Sequence, residues 1–444
     1  MHANACKPAL RRIIEESIAL LSKAGSKEFR KARLHLIDIV SVAAAGYRID
    51  SKPSYLYHSL GECSVGTSTI MGLWKKATVL QAALVNSFSA HVLELDDWLP
   101  EGFAHVGASI IPCVIATGES LGCSLEEALE AIILGYEVAG RIGWFLGRRH
   151  YRRWHTTSTA GGIASAVAVG YLRGLEVEGL IKAAATASAY ASGIWGIIGR
   201  EVAVKPLSAM HAAFLGITSP TLTDYISETV DDALDSERGL CNVMDAECKE
   251  DSLNPSWSFA INRAGHKIFP ACRNSHTVIQ ASISLHGKVE PDDIKKIVIE
   301  VFEEAYQVAD IRFPLTVEEA KFSLSYLASI GLLWGWVGLS ELKRGLRDPR
   351  IRRLESMTEI RVREDFTEEY PVKQPARVVV ELRNGDVLEA YEDTPIGDSS
   401  HPLSEENLLR KAVALSRDAQ DPRLRNVIEE IKNASLHTSI TDML

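Results

Sequence analysis

The stretch from His91 to His105, HVLELDDWLPEGFAH, sets two adjacent acids, Asp96 and Asp97, behind an apolar run and follows them with a histidine, His105. Ionised carboxylates at the end of an apolar segment call for a partner, because desolvating them is costly. Three other polar clusters interrupt the apolar background. RRHYRRWHTTST places Arg148, Arg149, Arg152 and Arg153 ahead of His155 and Thr156, VAVKPLSAMHAA opens an apolar stretch with Lys205, and HKIFPACRNSH gathers His266, Lys267, Cys272, Arg273 and His276. The combined inventory is cationic with a histidine–aspartate core. Lysine and arginine bind carboxylates, arginine often through two bonds. A histidine beside an aspartate moves a proton to or from carbon, and fixed cations stabilise the carbanion that results. Elimination, isomerisation or decarboxylation of a polycarboxylic acid fits this set. That chemistry needs no redox cofactor, and the sequence carries no GxGxxG followed by an acid, no P-loop and no iron–sulfur cysteine set.

Each cluster also has a plainer reading. The acid pair fits a helix ending at the surface, and the arginine run fits a solvated loop. Lys205 fits a surface lysine before Pro206, and the fourth cluster fits an interdomain linker. His155 is followed by hydroxyl residues and Gly161-Gly162 near a helix start, where free N–H groups can meet an anion. Cys272 has no dedicated base nearby, and no cysteine or histidine stands at the usual metal-ligand spacing, so no metal is expected.

The elements that must position these groups are mostly helical. Residues 7–47 read as two helices, the second from Ser26 to a stop at Gly46; Asp38, on its apolar run, is expected to be a structural partner for a cation. Residues 48–66 read as a loop and Thr67–Gly72 as a short extended piece. A helix then leads through Ala82–Leu95 to the acids and is broken at Pro100 and Gly102. Ala108–Gly122 reads as an apolar helix. Ser124 and Glu127 form a capping box for the next one, on which Glu137 and Arg141 stand at i,i+4. A small-residue helix follows Thr159, and helices are expected at 177–198 and 205–229. Near Gly265 the pattern changes. Ile294–Glu304 and Met357–Asp365 are strand-like, and Asn384-Gly385 marks a hairpin. Two helices, in HTVIQASISLHGKV and VEEAKFSLSYLASIGLLWGWVG, are expected among these strands. The fold class is therefore mainly α. A large all-helical domain over 1–264, with 400–444 expected to complete it, accompanies a smaller α+β domain over 265–399.

Composition narrows the function further. The chain has 444 residues, is 46% hydrophobic and 24% charged, and carries a formal net charge of −10. That charge argues against a general nucleic-acid binder. No uncharged apolar run of membrane-spanning length and no signal-peptide pattern occurs, so a cytoplasmic location with no membrane partner is expected. Seven scattered cysteines argue against a disulfide framework.

Taken in order, the motifs resemble the MmgE/PrpD family, which includes 2-methylcitrate dehydratase, cis-aconitate decarboxylase and iminodisuccinate epimerase. AALVNSFSAHVLELDD, LEEALEAIILGYEVAGRIG, WHTTSTAGGIASA, VKPLSAMHAA, KIFPACRNSH, KFSLSY and HPLSEENLLRK carry the resemblance. Val106 stands where the family commonly has proline, and Met210 where glycine is usual. The resemblance implies a homodimer without a cofactor and an active site between the domains. It places Asp96, His105, His155, Lys205, Lys267, His276 and Tyr326 at positions matching the family's pocket residues, with Arg273 in the same motif. By the chemistry above, His105 is the expected proton-transfer group, oriented or charged by Asp96, and His155, Lys205, Lys267 and Arg273 are expected to hold carboxylates. Tyr326 could protonate a leaving group or bind substrate, and among Phe322 and Leu324 it could equally be core. The activity expected is that of a cofactor-independent lyase on a small di- or tricarboxylate, foremost 2-methylcitrate dehydration. Decarboxylation or epimerisation is the alternative, and a non-catalytic carboxylate-binding protein a third reading.

Overall fold

Thirteen consecutive buried residues, His35 to Tyr47, make the helix Ser26–Ile49 an interior element along half its length. A helix buried on all sides must be surrounded, and this one is packed against the helices Val79–Val92, Leu125–Tyr151, Glu405–Asp418 and Pro422–Asn433. The computed structural model describes residues 7–61, 65–198, 201–253 and 255–444. They form two compact units. The first comprises the described residues up to Ile198, Val204–His266 and Ser404–Leu444; the second comprises Lys267–Leu403 and the described part of Gly199–Ala203. Among the described residues no helix is long and apolar enough to cross a membrane.

In the first unit, local chemistry explains most boundaries. Thr78 caps the helix Val79–Val92 by accepting from Gln81 N, and Gly122, at φ 72°, ends the helix Gly107–Leu121 in the left-handed conformation that glycine tolerates. Ser124 and Glu127 form the expected capping box, and Arg141 Nε reaches Glu137 Oε1 at 2.7 Å. The helix Thr156–Leu172 is buried from Thr156 to Gly170; its small side chains let it pack against Leu125–Tyr151 and Leu207–Thr218. The C-terminal segment returns to this unit, where Arg33 donates to the carbonyls of Ile431, Lys432 and Ala434.

Several expectations are corrected here. The helix Ser26–Ile49 runs past Gly46, and Lys52–Ser59 is helical where a loop was expected, with Pro53 in its first turn. The unit is not purely helical: β1 (Ser68–Ile70) and β2 (Lys75–Ala77) pair antiparallel. The helices expected at 177–198 and 205–229 stop at Ala189 and Thr218; Gly193 at φ 119° and Pro220 mark the breaks. The cysteine reading also changes. Left-handed residues Asp245 and Cys248 reverse the chain so that the Cα atoms of Cys241 and Cys248 lie 5.9 Å apart and the pair forms a disulfide. Cys113, Cys123 and Cys272 are buried and take no part in this disulfide; Cys6 and Cys63 lie outside the described residues.

The second unit is built on a four-stranded sheet. Its strands are β3 (Ile294–Val301), β4 (Thr358–Val362), β5 (Ala376–Leu382) and β6 (Val387–Glu392), in the order β4-β3-β5-β6. β3 and β4 are parallel; the other pairs are antiparallel, and the β5–β6 turn contains Gly385 at φ 97°. The helix His276–Leu285 packs on β5 and β6 and against the helix Leu324–Trp334. The expected single helix over 317–338 is two, Val317–Ala320 and Leu324–Trp334, because Ser323 caps the second by accepting from Tyr326 N.

Candidate active site residues

The helix leading to the acids ends at Val92, three residues before Leu95, the last residue of the apolar run. Glu94 takes a left-handed backbone, φ 56°. For a non-glycine residue that conformation is uncommon and costly, and it gathers at functional turns. The turn that results is buried: Asp96 and Asp97 are both 0% exposed. The surface-helix reading of the acid pair is therefore wrong, and the buried acids have partners.

The two acids face different groups. Asp96 Oδ2 lies 2.7 Å from His91 Nδ1 and 3.7 Å from His105 Nδ1. His105 Nδ1 also lies 2.6 Å from the Asp97 carbonyl oxygen. A carbonyl only accepts, so Nδ1 of His105 carries the proton and Nε2 is the basic atom of the ring. The His105 backbone N–H donates to Thr157 Oγ1 at 2.9 Å, which ties the histidine to the first turn of the helix Thr156–Leu172. Trp98 packs beside the imidazole, ring centres 5.3 Å apart.

Asp97 points its carboxylate elsewhere. Its Oδ2 accepts from Tyr136 Oη at 2.6 Å and its Oδ1 from Gly107 N at 3.0 Å. Gly107 has to be glycine for this contact, because a Cβ there would sit 2.8 Å from Asp97 Oδ1 and closer still to the Tyr136 hydroxyl. Burial, with Asp96 as a like-charged neighbour, lifts the Asp97 pKa to about 7 against the relief given by Tyr136 and Gly107. Behind it, His35 stacks on His266 at 4.2 Å, and both are held neutral by burial, His266 with its pKa lowered to about 4. Asp38 lies 2.7 Å from Lys411 Nζ and 3.1 Å from His266 Nδ1, which makes it the structural partner expected for a cation. Lys411 also donates to the Leu95 carbonyl at 2.7 Å, so the C-terminal segment of the chain braces the acid turn.

His155 sits at the N-cap of the helix Thr156–Leu172, 1% exposed, its ring 5.9 Å from His91, 6.4 Å from His105 and 4.6 Å from Trp195. Arg149 and Arg153 are more than half exposed and pair with Asp245, as a solvated segment would. Lys205 is not a surface lysine: it is 2% exposed and donates to Glu94 Oε1 at 2.6 Å. His91, His105, His155 and Asp96 thus form one buried polar cluster of the first unit, and Glu94, two residues before Asp96, joins the buried Lys205 to the same turn.

Lys267, Arg273, His276 and Tyr326 belong to the second unit. All four are at most 1% exposed. Arg273 donates to Asp398 Oδ2 at 3.2 Å and, more weakly, to the Ile396 carbonyl at 3.5 Å; burial lowers its pKa to about 10. His276 Nε2 lies 3.4 Å from the Ala271 carbonyl. The Tyr326 hydroxyl donates to the Leu342 carbonyl at 2.6 Å, and the ring is part of a core with Phe269, Leu327, Ile330 and Ile351. Beside the catalytic role expected of it, Tyr326 thus has a carbonyl partner and a place in the core of the second unit.

Two residues of this assembly are not among those the sequence pattern singles out. His91 opens the acid-bearing stretch, and its i,i+5 spacing to Asp96 is the one cue to its membership of the site. Glu94 has the pattern of an ordinary helix residue; only the left-handed backbone brings it to Lys205.

Comparison with known proteins agrees with this architecture. Human cis-aconitate decarboxylase is 26% identical over 385 residues, covering 81% of this chain and 78% of that protein. The mouse protein of the same name is 26% identical over 392 residues, with the same coverage. A cis-aconitate decarboxylase of Aspergillus terreus is 22% identical over 438 residues, 91% of this chain and 88% of its own. The MmgE/PrpD N-terminal domain matches residues 21–250 and the C-terminal domain residues 269–436, and the chain belongs to the MmgE/PrpD family.

Proposed function

We propose that the chain is a cofactor-independent lyase that acts on a small di- or tricarboxylic acid by moving a proton at a carbon next to a carboxylate. The observation that carries this reading is the anchoring of His105: Nδ1 is bound to the Asp97 carbonyl with the Asp96 carboxylate 3.7 Å away. The bond fixes the tautomer, leaving Nε2 to take the proton, and the carboxylate stabilises the imidazolium that forms. Carboxylate binding is assigned to His155, Lys205, Lys267, Arg273 and His276. Glu94 holds the Lys205 ammonium in place, and Tyr326 acts through packing.

In the dehydration branch, foremost with 2-methylcitrate, the base takes the proton alpha to a carboxylate and the hydroxyl leaves as water with a second proton. In the decarboxylation branch His105 enters the step as the imidazolium, protonated from solvent; a carboxylate leaves as carbon dioxide, the carbanion left behind takes the Nε2 proton, and the ring returns to the neutral form. The names of the relatives, all cis-aconitate decarboxylases, favour the second branch. We further propose a homodimer. Leu207, Met210 and Phe214 recur along one side of the helix Leu207–Thr218, and Leu207 and Phe214 are more than 40% exposed, an apolar stripe that a second copy would cover.

Product analysis tests the reaction. Incubation with 2-methylcitrate, citrate, cis-aconitate and iminodisuccinate, followed by proton NMR and carbon dioxide capture, separates loss of water, loss of carbon dioxide and change of configuration. Release of neither water nor carbon dioxide from any of them contradicts the lyase reading, and a monomer in sedimentation contradicts the dimer.

A further inference from the structure

The segment Arg273–Thr277 is buried throughout, every residue at most 1% exposed, yet much of its hydrogen-bonding capacity is unused. Among the described residues, both amide atoms of Asn274, the hydroxyl of Thr277 and Nε of Arg273 have no hydrogen-bond partner. Buried polar atoms are nearly always satisfied, because an orphan forfeits its water without replacement. Four such atoms on three residues therefore ask for a ligand or ordered water. Asn274 lies in the 3-10 turn Arg273–Ser275 and Thr277 in the first turn of the helix His276–Leu285. Spacings of three and four residues put Asn274 and Thr277, and Arg273 and Thr277, on a common side of a helical turn. Other groups nearby are already occupied: Ser275 Oγ donates to the Cys272 carbonyl at 2.7 Å, and the outer nitrogens of Arg273 face Asp398 and the Ile396 carbonyl.

We infer that Asn274 and Thr277 form a binding subsite for a carboxylate that carries an adjacent hydroxyl. The inference rests on the carboxylate chemistry proposed above and adds two residues to it. The Asn274 Nδ2 and Thr277 Oγ1 protons, with the Arg273 Nε–H, are donors for carboxylate oxygens. Asn274 Oδ1 is an acceptor, which a carboxylate cannot use and an O–H can. A site of cations alone would be indifferent to that hydroxyl. A site holding an amide acceptor rejects the analogue lacking it, because the acceptor is then left unpaired.

The test is calorimetric binding of citrate, which has the hydroxyl, and tricarballylate, which is the same triacid without it. The proteins are the full chain and its Asn274→Ala, Thr277→Val and Thr277→Ser variants, with circular dichroism melting as the check on folding. The parent is expected to prefer citrate by about tenfold, the ratio one ordinary hydrogen bond supplies. Asn274→Ala removes the preference. Thr277→Val weakens both ligands several-fold, and Thr277→Ser, which keeps the hydroxyl and folds with the least disturbance, restores them. Parent-like binding of both ligands by folded Asn274→Ala and Thr277→Val overturns the subsite and leaves the lyase reading standing. Failure of the parent to bind either triacid overturns the subsite and the carboxylate reading together.

Discussion

His91 and Asp96 are joined inside the protein, Nδ1 to Oδ2 at 2.7 Å, with both side chains fully buried. The carboxylate that faces His105 is therefore held by a second imidazole. That second ring fixes where the negative charge sits, and its Nε2 has no hydrogen-bond partner among the described residues.

Replacing His91 separates anchoring from bulk. An asparagine side chain places an amide donor near the position of Nδ1, whereas leucine fills the space and donates nothing. His91→Leu is expected to lower kcat at least about tenfold and to cost about 1–3 kcal/mol, the range for a buried acceptor left unsatisfied. His91→Asn is expected to recover most of both. Steady-state rates and urea unfolding check this; equal kcat in the leucine variant and the parent contradicts it.

The pair Lys205–Glu94 is an ion pair with both side chains under 5% exposed. Breaking such a pair on one side strands a buried charge and costs roughly 3–5 kcal/mol. Lys205→Met is expected to fall in that range by urea unfolding. The double variant Lys205→Met/Glu94→Gln is expected to regain much of the stability and none of the turnover. If the single and double variants are equally unstable, the pair is not the source of the loss.

Asp97 gives a pH prediction with a definite sign. Its folded pKa is raised from 3.8 to about 7. Between those values the folded protein holds a proton that the unfolded chain has lost, so this group's contribution is full below about pH 4 and disappears as pH rises through 7. His266, lowered to about 4, and His150, lowered to about 3, act oppositely and favour folding as pH rises toward 6.5. Asp97→Asn removes only the first contribution. Its stability should therefore climb more steeply than the parent's between pH 4 and 6.5. Parallel curves from denaturant titrations at several pH values contradict the assignment.

Tyr326 is expected to matter for folding more than for rate. With its hydroxyl on the Leu342 carbonyl, Tyr326→Phe should lose about 1 kcal/mol and keep turnover close to the parent's. A large fall in kcat in a stable Tyr326→Phe protein restores the catalytic role.

What the sequence made legible follows the range of the interactions concerned. The capping box at Ser124, the Glu137–Arg141 pair and the hairpin at Asn384-Gly385 depend on neighbours a few residues away, and all three stand in the structure. The role of Asp38 was visible because a buried aspartate on an apolar helix requires a cation, but the identity of that cation, Lys411, comes from the far end of the chain. Periodicity failed where one backbone torsion decides the outcome. The left-handed turn at Glu94 shortens the first acid-bearing helix, and the cap at Ser323 splits another. The buried state of Lys205 was hidden for the same reason, since its partner reaches it only through that turn.

His105, held by the Asp97 carbonyl beside Asp96, is proposed to transfer a proton at a carbon adjacent to a carboxylate. Proton NMR of the protein with 2-methylcitrate and with cis-aconitate in deuterated water reads that event directly. Deuterium is expected in substrate or product with the parent protein, with a loss of roughly a hundredfold or more in rate in His105→Ala, within the span of general acid–base catalysis. Deuterium entering at the same rate in folded His105→Ala and the parent would contradict it.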